Sequence, residues 1–325
     1  MPMTSAEIGN LWMAYMANSM GCKVLSYFNR NVEDEQIGKV ISDNQKACQV
    51  NLARIKEIFE KDHFPIPIGF TDEDVHLDAP RLFSDTYYLY YLKMITGLGS
   101  IFYTIALPTM AREDVRGFIT DAIHVSAKLF NEVADVMLEK GVYVRPPVIP
   151  YPEHAEFVET TSFFNGFFSG KRPLNSAEIG QLFANLEFNT IKIALLTGFS
   201  QVAQSQTIRE YFYQGIKINK SQIGRVSNMM LQENIPPAIP FGFTVTNSTT
   251  PPFSDKLMLF HVSNFSAAKL RNFGDSIAVS PRHDLARVLR RKKRTAWKVW
   301  METHIADGFF AFVRSPLSRV SVCVG

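Results

Sequence analysis

The sequence predicts an all-α protein made of two four-helix bundles in tandem. Three observations predict this architecture. Stretches of the first half recur about 170 residues later, apolar residues follow helical spacing, and proline-rich breaks fall at corresponding places in both halves. A chain of 325 residues is long enough for two domains that each bury a core.

The internal repeat is the strongest signal. The heptapeptide that begins at Ser5 recurs from Ser176 with one substitution, and shorter matches follow in the same order at offsets of 170 to 173. A period this long indicates duplicated domains rather than a solenoid. The shorter matches pair residues 69–71 with 242–244, 83–85 with 253–255, and 112–114 with 282–284.

Each copy begins with a helix that has a capping signal. Thr4 and Glu7 form a capping box in the first copy, and Asn175 and Glu178 repeat it in the second. A second helix is predicted over residues 33–59 and again over 205–232, and both end in proline-rich loops. The loops run about twenty residues, which suits a bundle with a crossover connection.

The third helix is predicted to open at Ser84 and Ser254, which are preferred N-cap residues. Its stretch from residue 94 to 111 has no charge, but several polar residues and Pro108 argue for a centrally buried helix rather than a membrane span. A fourth helix is predicted over residues 112–140, with Gly141 as its C-terminal stop.

Six stretches, which span roughly residues 3 to 286, carry a resemblance to a known family. They are TSAEI at 4–8, IPIGFTDEDV at 66–75, APRLFSD at 79–85, KRPLN at 171–175, GFSQVA at 198–203 and PPFSDKLM at 251–258. In these stretches the chain resembles DUF3231, a Bacillaceae family of unknown function. The resemblance implies tandem ferritin-like bundles and a distant similarity to spore coat F proteins. It supplies no catalytic residues.

The predicted organisation has four parts: a first bundle over 1–147, a linker over 148–171, a second bundle over 172–286, and a divergent tail over 287–325. The second bundle has three helices and the start of a fourth. The tail carries nine Lys/Arg and two Asp/Glu, so its net charge is 9 − 2 = +7. We hypothesise that it is a frameshifted or recombined reading of the ancestral last helix, and an intact frame in close relatives would exclude this.

A ferritin-like bundle invites a search for a metal site, which needs inward-facing Glu and Glu-x-x-His residues from several helices. The best near match is Asp121-x-x-His124 on the fourth helix, and His261 lies in the third helix of the second copy. These three residues are weak candidates, because the rest of the ligand shell is missing. Neither a metal site nor a cofactor is therefore predicted. Asp72, Glu73 and Asp74 lack EF-hand order and are interpreted as a solvated loop.

Four tyrosines, at 87, 88, 90 and 91, point to several faces of the third helix. This arrangement is compatible with a contact to the other bundle or to another subunit. It is equally compatible with a belt of buried aromatic rings inside one domain. The basic run from Arg290 to Arg294, followed by Trp297 and Trp300, could contact phosphate backbones or anionic surfaces weakly. No specific nucleic-acid partner is predicted.

These patterns favour a non-enzymatic structural or interaction protein of the cytoplasm. The coat F similarity implies in addition an association with the spore, with the chain itself or other spore proteins as partners. The alternative is a metal-dependent ferritin-like oxidoreductase. Neither a nucleophile–base arrangement nor a P-loop or dinucleotide fingerprint is present. Three widely spaced cysteines imply reduced thiols rather than a disulfide framework.

Overall fold

The structure, a computed structural model, describes residues 1–150, 153–154, 172–237, 239–280 and 282. Within these ranges the regular elements are seven α-helices and two short 3₁₀ turns, so the all-α prediction is confirmed. The helices are α1 Ser5–Asn31, α2 Glu35–Lys61, α3 Asp85–Ala106, α4 Glu113–Glu139, α5 Ser176–Val202, α6 Gln206–Gln232 and α7 Asp255–Ala278.

The helix boundaries follow the local chemistry of the chain. Thr4 and Glu7 form the predicted capping box at α1, and Asn175 and Glu178 form it at α5. Gly141 follows α4 with a φ of +68°, a left-handed conformation that suits a residue without a Cβ. The predicted and observed ends differ by one or two residues.

One predicted cap is wrong in its detail. Ser84 stands at the N-cap position of α3, but its side chain makes no hydrogen bond to its own helix. Its Oγ instead accepts from the backbone N–H of Thr244, in the other copy. The equivalent Ser254 does cap its helix, by accepting from the N–H of Leu257, and it also donates to Asp74.

The two long loops pair with each other across the repeats. The N–H of His76 donates to the carbonyl of Pro252, and the N–H of Thr246 donates to that of Leu82. Adding 170 to one member of each contact gives a member of the other, so the two contacts are related by a pseudo-two-fold axis. The bridges Val75–Phe253 and Phe83–Val245 obey the same relation.

The loop from Asp72 to Asp74 is not a purely solvated loop. Asp72 is exposed and pairs with Lys23. Asp74 is buried, and its carboxylate accepts from the N–H of Thr71 and from the hydroxyl of Ser254. The prediction missed this because Ser254 lies 180 residues away in the sequence.

A shared aromatic core joins the repeats, whereas the sequence predicts two bundles with separate cores. The four neighbouring tyrosines in the first half of α3, at 87, 88, 90 and 91, are all fully buried. Tyr88 stacks on Phe28 of the first repeat, while Tyr87 and Tyr90 pack edge-on against Phe243 of the second. This belt therefore lies between the repeats, as one of the two sequence interpretations had it.

Away from the shared core, each repeat has an apolar cluster of its own. In the first repeat it includes Leu11, Phe59 and Phe118, and in the second it includes Leu186 and Met230. The predicted fourth helix of the second bundle lies outside the described residues. So does the tail over 287–325, which includes Arg290 to Arg294, Trp297 and Trp300. No helix in the described ranges is long and apolar enough to cross a membrane.

Candidate functional site

Buried carboxylates fasten the helix ends in both repeats. Glu7, on α1, is fully buried, and one carboxylate oxygen accepts from the backbone N–H groups of Ala111 and Arg112, at 2.9 and 2.7 Å. These are unsatisfied donors at the start of α4, so Glu7 caps a second helix besides its own. Burial opposes ionisation, but the N–H donors of Arg112, Thr4 and Ala111 outweigh it and lower the pKa of Glu7.

The second repeat uses Glu178 in the same way with different partners. Its carboxylate accepts two hydrogen bonds from the Arg172 guanidinium, both at 2.8 Å, and one from the hydroxyl of Ser280. Burial again opposes ionisation, while the Arg172 contact lowers the pKa of Glu178 overall. Residue 281, which corresponds to Ala111 at the repeat offset of 170, is proline and has no N–H to donate.

A second pair of acids, at the start of α3 and of α7, contacts the turns that precede α2 and α6. Asp85 accepts from the backbone N–H groups of Glu33 and Asp34, and Asp255 accepts from those of Gln204 and Ser205. Each aspartate therefore satisfies donors at the start of the second helix of its repeat. The sequence alone does not reveal these contacts, because the partners lie about fifty residues away.

The three metal candidates do not come together. Asp121 is exposed and pairs with Arg54 at 2.8 Å, and His124 is exposed on α4. His261 is fully buried in the second repeat, where its Nε2 lies 3.1 Å from the hydroxyl of Tyr91. Within the described part of the chain, no group of three or more His, Cys, Asp or Glu side chains could hold a metal ion.

The contact between Tyr91 and His261 lies within the shared core and joins α3 to α7. The edges and faces of Phe199 and Phe265 surround the His261 ring, at centroid distances of 5.6 and 4.7 Å. Burial, with a smaller contribution from the charge of Lys192, lowers the pKa of His261 to about 3. The imidazole is therefore neutral at physiological pH and serves as a hydrogen-bonding partner.

A family model described as a protein of unknown function, DUF3231, matches residues 1–154 and again residues 162–306. The chain belongs to the DUF3231 family. The double match confirms the duplication and the resemblance. The second match continues to residue 306, past residue 286, where the sequence analysis places the divergence of the tail.

Other known proteins add little to the family assignment. No curated protein matches the chain. A solved structure from Bacillus halodurans, provisionally described as a spore coat protein, is 16% identical and covers 48% of this chain and 98% of its own. Its TM-score is 0.40, so the likeness is distant and supports no functional conclusion.

Proposed function

We propose that this DUF3231 protein is a non-enzymatic structural or interaction protein. The proposal rests on the contacts of the buried acids and of the buried histidine, which are all structural. Glu7 and Glu178 fasten helix ends, Asp74 joins the two loops, and His261 pairs with Tyr91. These side chains, which an enzyme of this shape would need for chemistry, are engaged in holding the molecule together.

An apolar stripe on α3 gives the proposed scaffold a surface for assembly. Ile101 and Ile105 lie one helical turn apart and are 40% and 54% exposed. At the equivalent positions of α7 the second repeat carries the exposed, charged residues Arg271 and Asp275. A second copy of the chain is the proposed partner, because two-fold pairing would bury the same stripe against itself.

The role of the stripe is tested by replacing Ile101 and Ile105 with the residues that stand at the equivalent positions of the second repeat. The double variant Ile101→Arg/Ile105→Asp is compared with the wild-type chain by size-exclusion chromatography with light scattering. We expect the wild-type chain to self-associate as its concentration rises and the variant to stay monomeric. Val50→Asp, at an exposed apolar position of α2, is the matched control. A monomeric wild-type chain at every concentration would remove self-association from the proposal.

Elemental analysis of the purified protein separates the scaffold from the metal-dependent alternative. Mass spectrometry is expected to find iron, manganese and zinc far below one atom per chain. Near-stoichiometric metal would overturn the proposal in favour of a ferritin-like oxidoreductase. Alanine variants of Asp121, His124 and His261 would then show which of these candidates retains the metal.

The proposed location is the cytoplasm, with association to the spore. This part rests on the sequence resemblance to spore coat F proteins. A fluorescent fusion followed through sporulation is expected to collect at the forming spore. Uniform fluorescence in the mother cell, with none in purified spores, would remove the spore association and leave the scaffold proposal unaffected.

A further inference from the structure

Two of the three cysteines meet where α1 packs against α2. Cys22 lies on α1 and Cys48 on α2, and both are free thiols. Gly21, the neighbour of Cys22 in the chain, leaves room for the second thiol, since a Cβ at this glycine would lie 3.1 Å from the Cys48 sulfur. The two thiols hydrogen-bond to each other, although they belong to different helices.

The surroundings of the pair give its two thiols different roles. The hydrogen bond from Cys48, together with the charge of Lys23, lowers the pKa of the Cys22 thiol, while the same hydrogen bond and burial raise the pKa of Cys48. Because the thiolate is the reactive form of cysteine, Cys22 is the nucleophile of the pair. Cys22 is 8% exposed and Cys48 is half-buried on the core side of α2, so only a small oxidant can reach them.

The thiol pair is specific to the first repeat. At the repeat offset of 171, Cys22 corresponds to Ile193 and Cys48 corresponds to Asn219. In the second repeat the amide oxygen of Asn219 accepts from the Lys269 amine at 2.6 Å. An apolar side chain and an amide therefore occupy the same two helix positions in the second copy, so the packing of the two helices does not by itself require sulfur at either one.

We propose that Cys22 and Cys48 form a redox-active dithiol, which a small hydroperoxide such as hydrogen peroxide converts to an intramolecular disulfide. The Cys22 thiolate attacks one peroxide oxygen, the O–O bond breaks, and the leaving hydroxide takes up a proton to give water. The Cys48 sulfur then attacks the resulting sulfenic acid. The S–S bond forms, the S–O bond breaks, and the oxygen leaves with the Cys48 proton as a second water, so two thiols are oxidised and one peroxide is reduced.

The disulfide links α1 to α2 inside the first repeat. Residues 32–34 connect these helices, so the new bond closes a loop that runs through this turn. A cross-link of this kind restricts the unfolded chain more than the folded one, and it should raise the Tm of the oxidised protein by roughly 5 °C. Oxidation by peroxide therefore stabilises the first repeat, and reduction by a dithiol reverses the effect.

The test exposes the full, reduced chain to one equivalent of hydrogen peroxide. Peptide mass spectrometry without reduction is expected to find Cys22 linked to Cys48 with the loss of two hydrogen atoms. Thermal unfolding of the same sample should show the rise in Tm of roughly 5 °C, and dithiothreitol should reverse it. Cys22→Ser should abolish both results. Cys323→Ser is the matched control and should keep both, because it leaves the pair intact.

Three results would overturn the proposal: a sulfinic acid at Cys22 without a link to Cys48, a link of either residue to Cys323 instead, or thiols that stay reduced while free cysteine in the same solution is oxidised. The peptide map of the wild-type chain decides among these even if Cys22→Ser fails to fold. In Cys48→Ala the sulfenic acid on Cys22 has no partner thiol, so dimedone should trap it there. Trapping at Cys323 alone would contradict the assignment of Cys22 as the nucleophile.

Discussion

The hydroxyl of Tyr91 and Nε2 of His261 lie 3.1 Å apart, and the two residues are 170 positions apart in the sequence. Because 170 is also the offset that relates the paired loops, each residue occupies in its own repeat the position that the other occupies in its repeat. The pseudo-two-fold axis of the molecule therefore passes through this contact, inside the shared core.

His261 makes the stability of the fold depend on pH. Its folded pKa of about 3 lies below its ordinary value of 6.5, so unfolded chains bind more protons between these values. The contribution of His261 to stability is therefore fully present above pH 6.5. It is lost as the pH falls, by at most about 1.4 kcal/mol per pH unit. Chemical denaturation from pH 7 to 4.5 should show this loss. His261→Phe should flatten the curve, and His124→Gln, at an exposed site, should leave it unchanged.

Gly198 lets α5 approach the first repeat closely. A Cβ at this position would lie 2.6 Å from the ring of Phe83, which is fully buried, so the packing around it would have to shift. Gly198→Ala should therefore lower the free energy of unfolding by about 1–3 kcal/mol. Gly180, in the same helix, has no neighbour within 4 Å of such a Cβ, and Gly180→Ala should be neutral or stabilising. Equal effects in urea titrations would contradict the close approach.

Glu7 should stabilise the chain through its charge. Its pKa lies below the ordinary value of 4.5, so its contribution is present above that pH and fades as the pH falls further. Glu7→Gln leaves an amide facing the N–H of Thr4 and should cost about 2 kcal/mol at pH 7. The cost should shrink in acid. Glu57→Gln, on the exposed side of α2, is the control.

The ion pair between Lys93 and Glu187 crosses the repeats from α3 to α5. Its atoms lie 2.5 Å apart, and the side chains are 9% and 16% exposed. Lys93→Met leaves the partly buried Glu187 carboxylate without its partner and should cost about 3 kcal/mol, while the double change to Met and Gln should recover part of this cost. Removing the exposed pair Lys23–Asp72 should change little. A double-mutant cycle without coupling would contradict the contact.

The sequence was sufficient for the local features of the fold. Thr4-x-x-Glu7 and its copy predict two helix starts because a capping box involves residues three apart. Repeat offsets predict the duplication, and the prolines predict the long loops. Each of these signals depends on residues that are close in the chain or on comparison of the two halves.

The shared core and the loop pairing could not be predicted, because their partners lie about 170 residues apart. Four neighbouring tyrosines fitted both a belt inside one domain and a contact between repeats, since both environments bury aromatic rings. Asp74 resembled its solvated neighbours until Ser254 was placed beside it. The burial of Lys192 and Lys269 could not be predicted either, because lysine on a helix is ordinarily exposed.

Differential scanning calorimetry of the full chain tests most directly whether the two repeats form one unit. Because the shared core belongs to both, the described helices should unfold in one cooperative transition whose calorimetric and van't Hoff enthalpies agree. Gly198→Ala and Lys93→Met should each move this whole transition to lower temperature. Two separate transitions, of which only one responds to these changes, would contradict the account.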